Sequence, residues 1–166
     1  MIEYVTGNIF DSRCFAAINP VNCVGVMGAG LAKQFKEKYP EMFKQYREDC
    51  KSKKITLGQN YIWINPESFR SDRRCIDEGE FAEIICMPTK NHWKDSSDLK
   101  WIILALQDLR NYITINYGPG CSIAIPKIGC GLGGLNWETQ VKPEIEKYLG
   151  DLEINIKVYV STTAYP

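Results

Sequence analysis

Residues 18–35 read INPVNCVGVMGAGLAKQF, and residues 125–137 read IPKIGCGLGGLNW. Each stretch leaves a short apolar run, crosses a glycine-rich turn and enters a segment of helical spacing. Glycine lets backbone N–H groups approach an anion closely and adopt positive φ, and a helix N-terminus adds positive potential. A strand, a glycine turn and a helix in that order therefore make a phosphate cradle. The two cradles are Asn22-Cys23-Val24-Gly25-Val26-Met27-Gly28-Ala29-Gly30 and Ile128-Gly129-Cys130-Gly131-Leu132-Gly133-Gly134. Singly, each is equally well a tight strand-to-helix turn; as a pair in matching contexts they point to a diphosphate. Neither matches GxxxxGK(S/T) or the full GxGxxG spacing, which disfavours an ATPase-type loop and an NAD-linked dehydrogenase.

Working outward, β-branched and aromatic runs alternate with helical periods, the pattern of an α/β layer structure. Strands are predicted over Ile2–Thr6, Ala16–Asn19, Tyr61–Ile64, Glu83–Met87, Ser122–Ile125 and Ile154–Val160. The clearest helix runs from Asp98 to about Ile115, with Leu99, Ile102, Ile103, Leu106, Leu109 and Ile113 on one stripe and Ser97 as the expected N-cap. A helix from Gly28 or Ala29 turns Leu31, Phe35 and Tyr39 inward, and Pro40 ends it or opens another through Tyr46. A further helix spans Trp137 to Leu149 between Asn136 and Gly150. The stretch from Asn65 to Glu80, with Arg70, Arg73 and Arg74 against Asp72, Asp77, Glu78 and Glu80, reads as a surface insertion, either a solvated loop or a substrate-facing lid.

The chain has 166 residues, 45% hydrophobic and 24% charged, with 20 basic against 20 acidic side chains. A chain of this length hides roughly 70% of its unfolded surface and needs no staple; one domain over residues 1–166 is expected. Zero net charge removes the whole-molecule field of a non-specific nucleic-acid binder, so any such contact must be local. Its single histidine, His92, excludes sites that need two imidazoles. The seven cysteines (Cys14, Cys23, Cys50, Cys75, Cys86, Cys121, Cys130) are scattered without a CxxC and read as reduced thiols of a cytoplasmic protein. There is no secretory signal pattern, no membrane-length apolar run and no cluster that asks for a metal, so neither metal nor cofactor is expected and activity should resist chelators.

Open α/β sheets bind ligands beyond the carboxyl ends of their strands, where both glycine loops fall. Lys90 arrives at the same edge within Cys86-Met87-Pro88-Thr89-Lys90-Asn91-His92-Trp93. By itself Lys90 is an ordinary loop charge; beside two cradles it becomes a candidate for chemistry.

Val5-Thr6-Gly7-Asn8-Ile9, INPVNCVGVMGAGLAKQF, MPTKNHW (residues 87–93) and IPKIGCGLGGLNW together resemble a macrodomain. More narrowly they resemble the ADP-ribosyl glycohydrolase branch that includes DarG-type DNA ADP-ribosyl glycohydrolase antitoxins and the terminal ADP-ribose protein glycohydrolase. The resemblance covers nearly the whole chain. It implies a three-layer α/β/α fold with a central mixed sheet and an ADP-ribose cleft. Asn8 and Ile9 then meet the adenine, Asn22 and Gly28-Ala29-Gly30 the distal ribose, and Ile128, Gly129, Cys130, Gly131, Leu132 and Gly133 the diphosphate. Asn8 stands where many members carry an aspartate, so adenine is held by a neutral acceptor.

Lys90 aligns with the lysine this branch uses in catalysis. It can attack the opened distal sugar as an amine, or as an ammonium stabilise charge on a leaving or ring oxygen. The terminal glycohydrolase carries an aspartate at the position of Gly133, a departure that leaves Lys90 without an assigned partner acid. His92 and Trp93 are candidate substrate contacts; equally, His92 is a loop residue packed on Trp93. Lys33, Lys36, Lys90 and Lys94 form a candidate basic rim for a nucleic-acid strand, with Trp93 as a stacking face.

The expected activity is release of ADP-ribose from a DNA base or a protein carboxylate, with a cognate toxin as a candidate partner. The alternatives are an ADP-ribose 1''-phosphate phosphatase and a non-catalytic ADP-ribose reader.

Overall fold

The structure, a computed structural model, describes residues 1–69 and 80–161. Six strands, β1 (Ile2–Thr6), β2 (Ala16–Val21), β3 (Tyr61–Ile64), β4 (Glu83–Pro88), β5 (Ser122–Pro126) and β6 (Asn155–Ser161), form one sheet in the order β1-β6-β5-β2-β4-β3. All neighbours are parallel except β3 and β4, which run antiparallel, so the sheet is mixed as expected. The helices are α1 (Gly30–Lys38), α2 (Pro40–Lys51), α3 (Leu99–Asn116) and α4 (Lys142–Leu149).

Helices cover both faces, which is why the central strands are apolar along their whole length. Ala16 and Ile18 of β2, Ile85 and Met87 of β4, and Ile123 and Ile125 of β5 pack with Ile102, Leu106 and Leu109 of α3 and with Ile145 of α4. The alternate residues Ala17, Ile84, Cys86 and Ala124 face Phe35 of α1, Met42 and Tyr46 of α2, and the short 3-10 turn Ile9–Asp11. Phe10 of that turn meets the Phe35 ring at 4.8 Å, locking the chain after β1 against α1.

Three local expectations need correction. Ser97 does not cap α3. Asp98 does, its side chain accepting from the Lys100 N–H at 3.0 Å. The Trp137–Leu149 segment is not one α-helix: Trp137–Val141 forms a π-turn capped by Asn136, and the α-helix begins at Lys142. Pro143 supplies the reason, since it cannot donate to the preceding turn. Asn65 does not belong to a surface insertion. It is buried, its amide donating to Phe81 O at 2.9 Å and its N–H to Ala82 O at 2.8 Å. Arg70, Asp72, Arg73, Arg74, Asp77 and Glu78, like Cys75, lie outside the described residues. Among those described, no helix is long and apolar enough to cross a membrane.

Ile85 lies fully buried at the middle of β4. Truncation to alanine removes three methyl or methylene groups from both the core and the sheet face, and Ile85→Ala should lower the unfolding free energy by about 2–5 kcal/mol in urea titration.

Candidate functional site

β4, β2 and β5 are parallel neighbours, so the loops that follow them leave the sheet side by side at one edge. These are the first glycine loop after β2, the Lys90 loop after β4, and the second glycine loop after β5. Backbone bonds lace them together. Thr89 N–H donates to Val21 O at 2.9 Å and Cys23 N–H to Asn91 O at 2.8 Å, tying the start of the Lys90 loop to the first glycine loop. At its far end Ser97 N–H donates to Gly133 O at 2.9 Å, tying it to the second.

The first loop is built around Asn22, whose residue is buried. Its side-chain oxygen accepts from Val24 N–H at 3.0 Å and Val26 N–H at 3.3 Å, and its amide donates to Val26 O at 2.7 Å. The fully buried Tyr46 of α2 donates its hydroxyl to Asn22 O at 2.7 Å. Asn22 therefore shapes the loop with most of its polar capacity. Beyond it, Ala29 is the N-cap of α1 and offers no side-chain cap. The first-turn amides of α1 thus lack the oxygen that usually covers them. Asn19, by contrast, sits inside β2 with its amide 3.8 Å from Met27 Sδ and 3.9 Å from Cys86 Sγ, and forms no turn.

The second loop needs glycine at two points. Gly129 has φ of +72°, and a Cβ there would lie 2.9 Å from Leu135 Cδ1. A Cβ on Gly133 would lie 2.6 Å from Gly129 O and would overlap Ser97 Oγ. No acid can occupy position 133 in this backbone, which gives the departure from the terminal glycohydrolase pattern a steric cause. Leu135 N–H donates to Gly129 O at 2.9 Å and closes the loop. Among the described residues the amides of Gly131, Leu132 and Gly133 have no protein acceptor, nor do those of Gly28 and Ala29 in the first loop. Successive unpaired N–H groups form an anion-binding hollow. The Ile128 side chain is fully buried, so only its backbone reaches the loop surface, whereas Leu132 is exposed. Cys130 is half-buried, and burial pushes its thiol up.

Lys90 is partly exposed and makes no ion pair among the described residues. His92 Nδ1 accepts from Lys94 N–H at 3.1 Å, which assigns the ring proton to Nε2. His92 also packs on Trp93 with ring centroids 5.2 Å apart, the packing role being evident. Asn8 caps the 3-10 turn by accepting from Phe10 N–H at 3.0 Å, leaving one lone pair of its oxygen for another donor, while the Ile9 side chain is wholly in the core. Lys36 places its ammonium 4.6 Å over the Phe43 ring and Lys94 sits 5.1 Å over Trp93; Lys33 is exposed. The fold thus gathers the two glycine loops and the Lys90 loop, and sets the Asn8 turn beside α1. Tyr46 and Ser97 were absent from the expected site: each acts by holding a loop from a distant element, and nothing in the local sequence marks that.

The macro domain family model matches residues 18–142. The chain belongs to the macro domain family. Over 142 residues this macrodomain is 39% identical to a Mycobacterium tuberculosis protein named DNA ADP-ribosyl glycohydrolase, covering 83% of the chain and 36% of the relative. The chain therefore spans little more than a third of that relative's length. Among solved structures it is similar to the macrodomain of Mycobacterium tuberculosis DarG, with a TM-score of 0.84 and 36% identity over 96% of this chain and 97% of the other. It is likewise similar to Thermosipho africanus DarTG in complex with ADP-ribose, with a TM-score of 0.81 and 31% identity over 98% of this chain and 42% of that one.

The Tyr46 hydroxyl donates to the backbone and side-chain oxygens of Asn22, the residue that shapes the first loop, which sets a test. Tyr46→Phe should weaken ADP-ribose binding about three- to tenfold by titration calorimetry while the far-ultraviolet circular dichroism stays unchanged. Gly133→Ala should weaken it by more than tenfold, since the added carbon separates the second loop from Ser97.

Proposed function

We propose that this macrodomain hydrolyses the glycosidic bond between ADP-ribose and a DNA base, with Lys90 assisting at the distal ribose. A protein carboxylate is the other acceptor to be tested. The observation that carries the reading is the pair of hydrogen bonds, Cys23 N–H to Asn91 O and Ser97 N–H to Gly133 O, which hold the Lys90 loop against both glycine loops. The names of the DNA ADP-ribosyl glycohydrolase relatives support the DNA base as acceptor.

In this reading the adenine lies by Asn8 and the backbone of Ile9. The diphosphate is held by the unpaired amides of the loops, with Gly28, Ala29 and Gly30 toward the distal ribose and Gly129, Cys130, Gly131, Leu132 and Gly133 around the phosphates. Water adds its hydroxyl to the anomeric carbon and the departing base takes the proton. Lys90 serves either as an amine that first adds to the opened sugar or as an ammonium that stabilises the departing electron pair. His92, with its Nδ1 already accepting a backbone N–H, is suited to donate from Nε2 rather than to act as a base. Gly133 leaves no room for an acid, so the proton reaches the departing base from water or from His92 Nε2.

The whole of residues 1–166 is read as one macrodomain acting in the cytoplasm. A Thermosipho africanus relative is named as a fusion of a DNA ADP-ribosyl transferase with a DNA ADP-ribosyl glycohydrolase, and this supports an antitoxin-like role opposite a cognate DNA-modifying toxin.

Wild-type protein should release free ADP-ribose from ADP-ribosylated thymidine DNA faster than from glutamate-modified protein. Lys90→Ala should lower turnover at least a hundredfold while calorimetric ADP-ribose affinity stays within about threefold. Turnover undiminished in Lys90→Ala would contradict the lysine role. Phosphate release from ADP-ribose 1''-phosphate in place of these activities would make the protein a phosphatase, and binding without any turnover would make it a reader. Added EDTA should leave the rate unchanged.

A further inference from the structure

The Lys90 loop carries a feature the hydrolysis itself does not use. Asp95 N–H donates to His92 O at 3.0 Å, closing a four-residue turn whose two central, most projecting residues are Trp93 and Lys94. The turn is braced twice more: Asp95 Oδ2 accepts from His92 N–H at 3.0 Å, and His92 Nδ1 accepts from Lys94 N–H at 3.1 Å. At its tip Trp93 is 49% exposed. A large aromatic ring held in water on a rigid turn buries little and orders much, an arrangement that suits recognition rather than stability. The two glycine loops likewise expose Val24, Val26 and Leu132.

We propose that Trp93 and Lys94 form a subsite for the nucleobase and phosphate adjacent to the modified base on a single DNA strand. The inference rests on the DNA reading of the site given above. Trp93 follows Lys90 by three residues, so their backbones lie at most about 10 Å apart, within reach of the neighbouring nucleotide when the modified one is at Lys90. Every base has a π-face, and aromatic stacking beside a cation is how proteins hold single strands without reading their sequence. Lys94 now rests 5.1 Å over the Trp93 ring. An arriving base takes that face and the ammonium moves to the phosphate, exchanging a weak exposed cation–π contact for a charge-assisted one. The Asp95 carboxylate is the acid nearest in the turn and is occupied by the His92 N–H. In a duplex the neighbouring base is paired and stacked, so the subsite selects single strands.

The test compares kcat/KM for ADP-ribose release from ADP-ribosylated thymidine within a short single strand and from the same modified thymidine as a free nucleoside. Trp93→Ala should lower the strand-to-nucleoside ratio about tenfold, and Trp93→Phe should restore most of it. Lys94→Gln should flatten the salt dependence of the strand reaction alone. A ratio unaltered by Trp93→Ala overturns the subsite. A second measurement separates it from the hydrolase reading: fluorescence anisotropy of a short unmodified thymidine strand with protein saturated by ADP-ribose. Trp93-dependent binding without turnover of either substrate sustains the subsite and removes the hydrolase; binding indifferent to Trp93→Ala, or none, removes the subsite.

Discussion

The constraint on which the rest depends is the parallel adjacency of β4, β2 and β5, whose loops must share one edge of the sheet. Parallel strands that are neighbours in space but distant in sequence end in loops that are likewise neighbours, and a switch in strand order opens a crevice between them. Here the crevice is narrowed by a contact only glycine permits, Gly133 lying against Ser97 and the Gly129 carbonyl. The strand core fixes where the loops start; the hydrogen bonds at Asn91 and Gly133 fix how close they come.

The polar character of the site comes mainly from backbone. Unpaired amides in both loops and the uncapped N-terminus of α1 supply positive potential without arginine or lysine, which fits a chain with equal numbers of acids and bases. The nearby thiols add no charge: burial pushes Cys23 up to about 11 and raises Cys130, so both stay protonated at neutral pH. Lys90, Lys94 and Lys127 are the basic side chains of the three loops, and Lys90 is the one proposed to act at the distal ribose.

What was legible in the sequence was whatever repeats locally. The apolar alternation of β2, β4 and β5, the stripe on α3 and the two glycine turns each declare themselves within about a dozen residues. The family motifs placed them on one fold. Features that depend on distant partners were not legible. Ser97 reads as a helix cap, with nothing to show that its N–H donates to Gly133 O, and Asn22 reads as a ligand contact, with nothing to show that its side chain also closes its own loop under Tyr46. The π-turn at Trp137 follows from Pro143, but the sequence does not reveal whether a proline in that place starts a helix or widens the turn before it. Asn65 is polar and flanked by charge, yet it is buried because Phe81 and Ala82, far along the chain, offer it backbone partners.

The most direct test of the central claim is a crystal structure of this macrodomain with ADP-ribose bound. The diphosphate should lie within hydrogen-bond distance of the Gly131, Leu132 and Gly133 amides and of the amides entering α1, with Lys90 Nζ directed at the anomeric carbon of the distal ribose. A diphosphate held away from those amides, or a Lys90 side chain turned from the sugar, would contradict it.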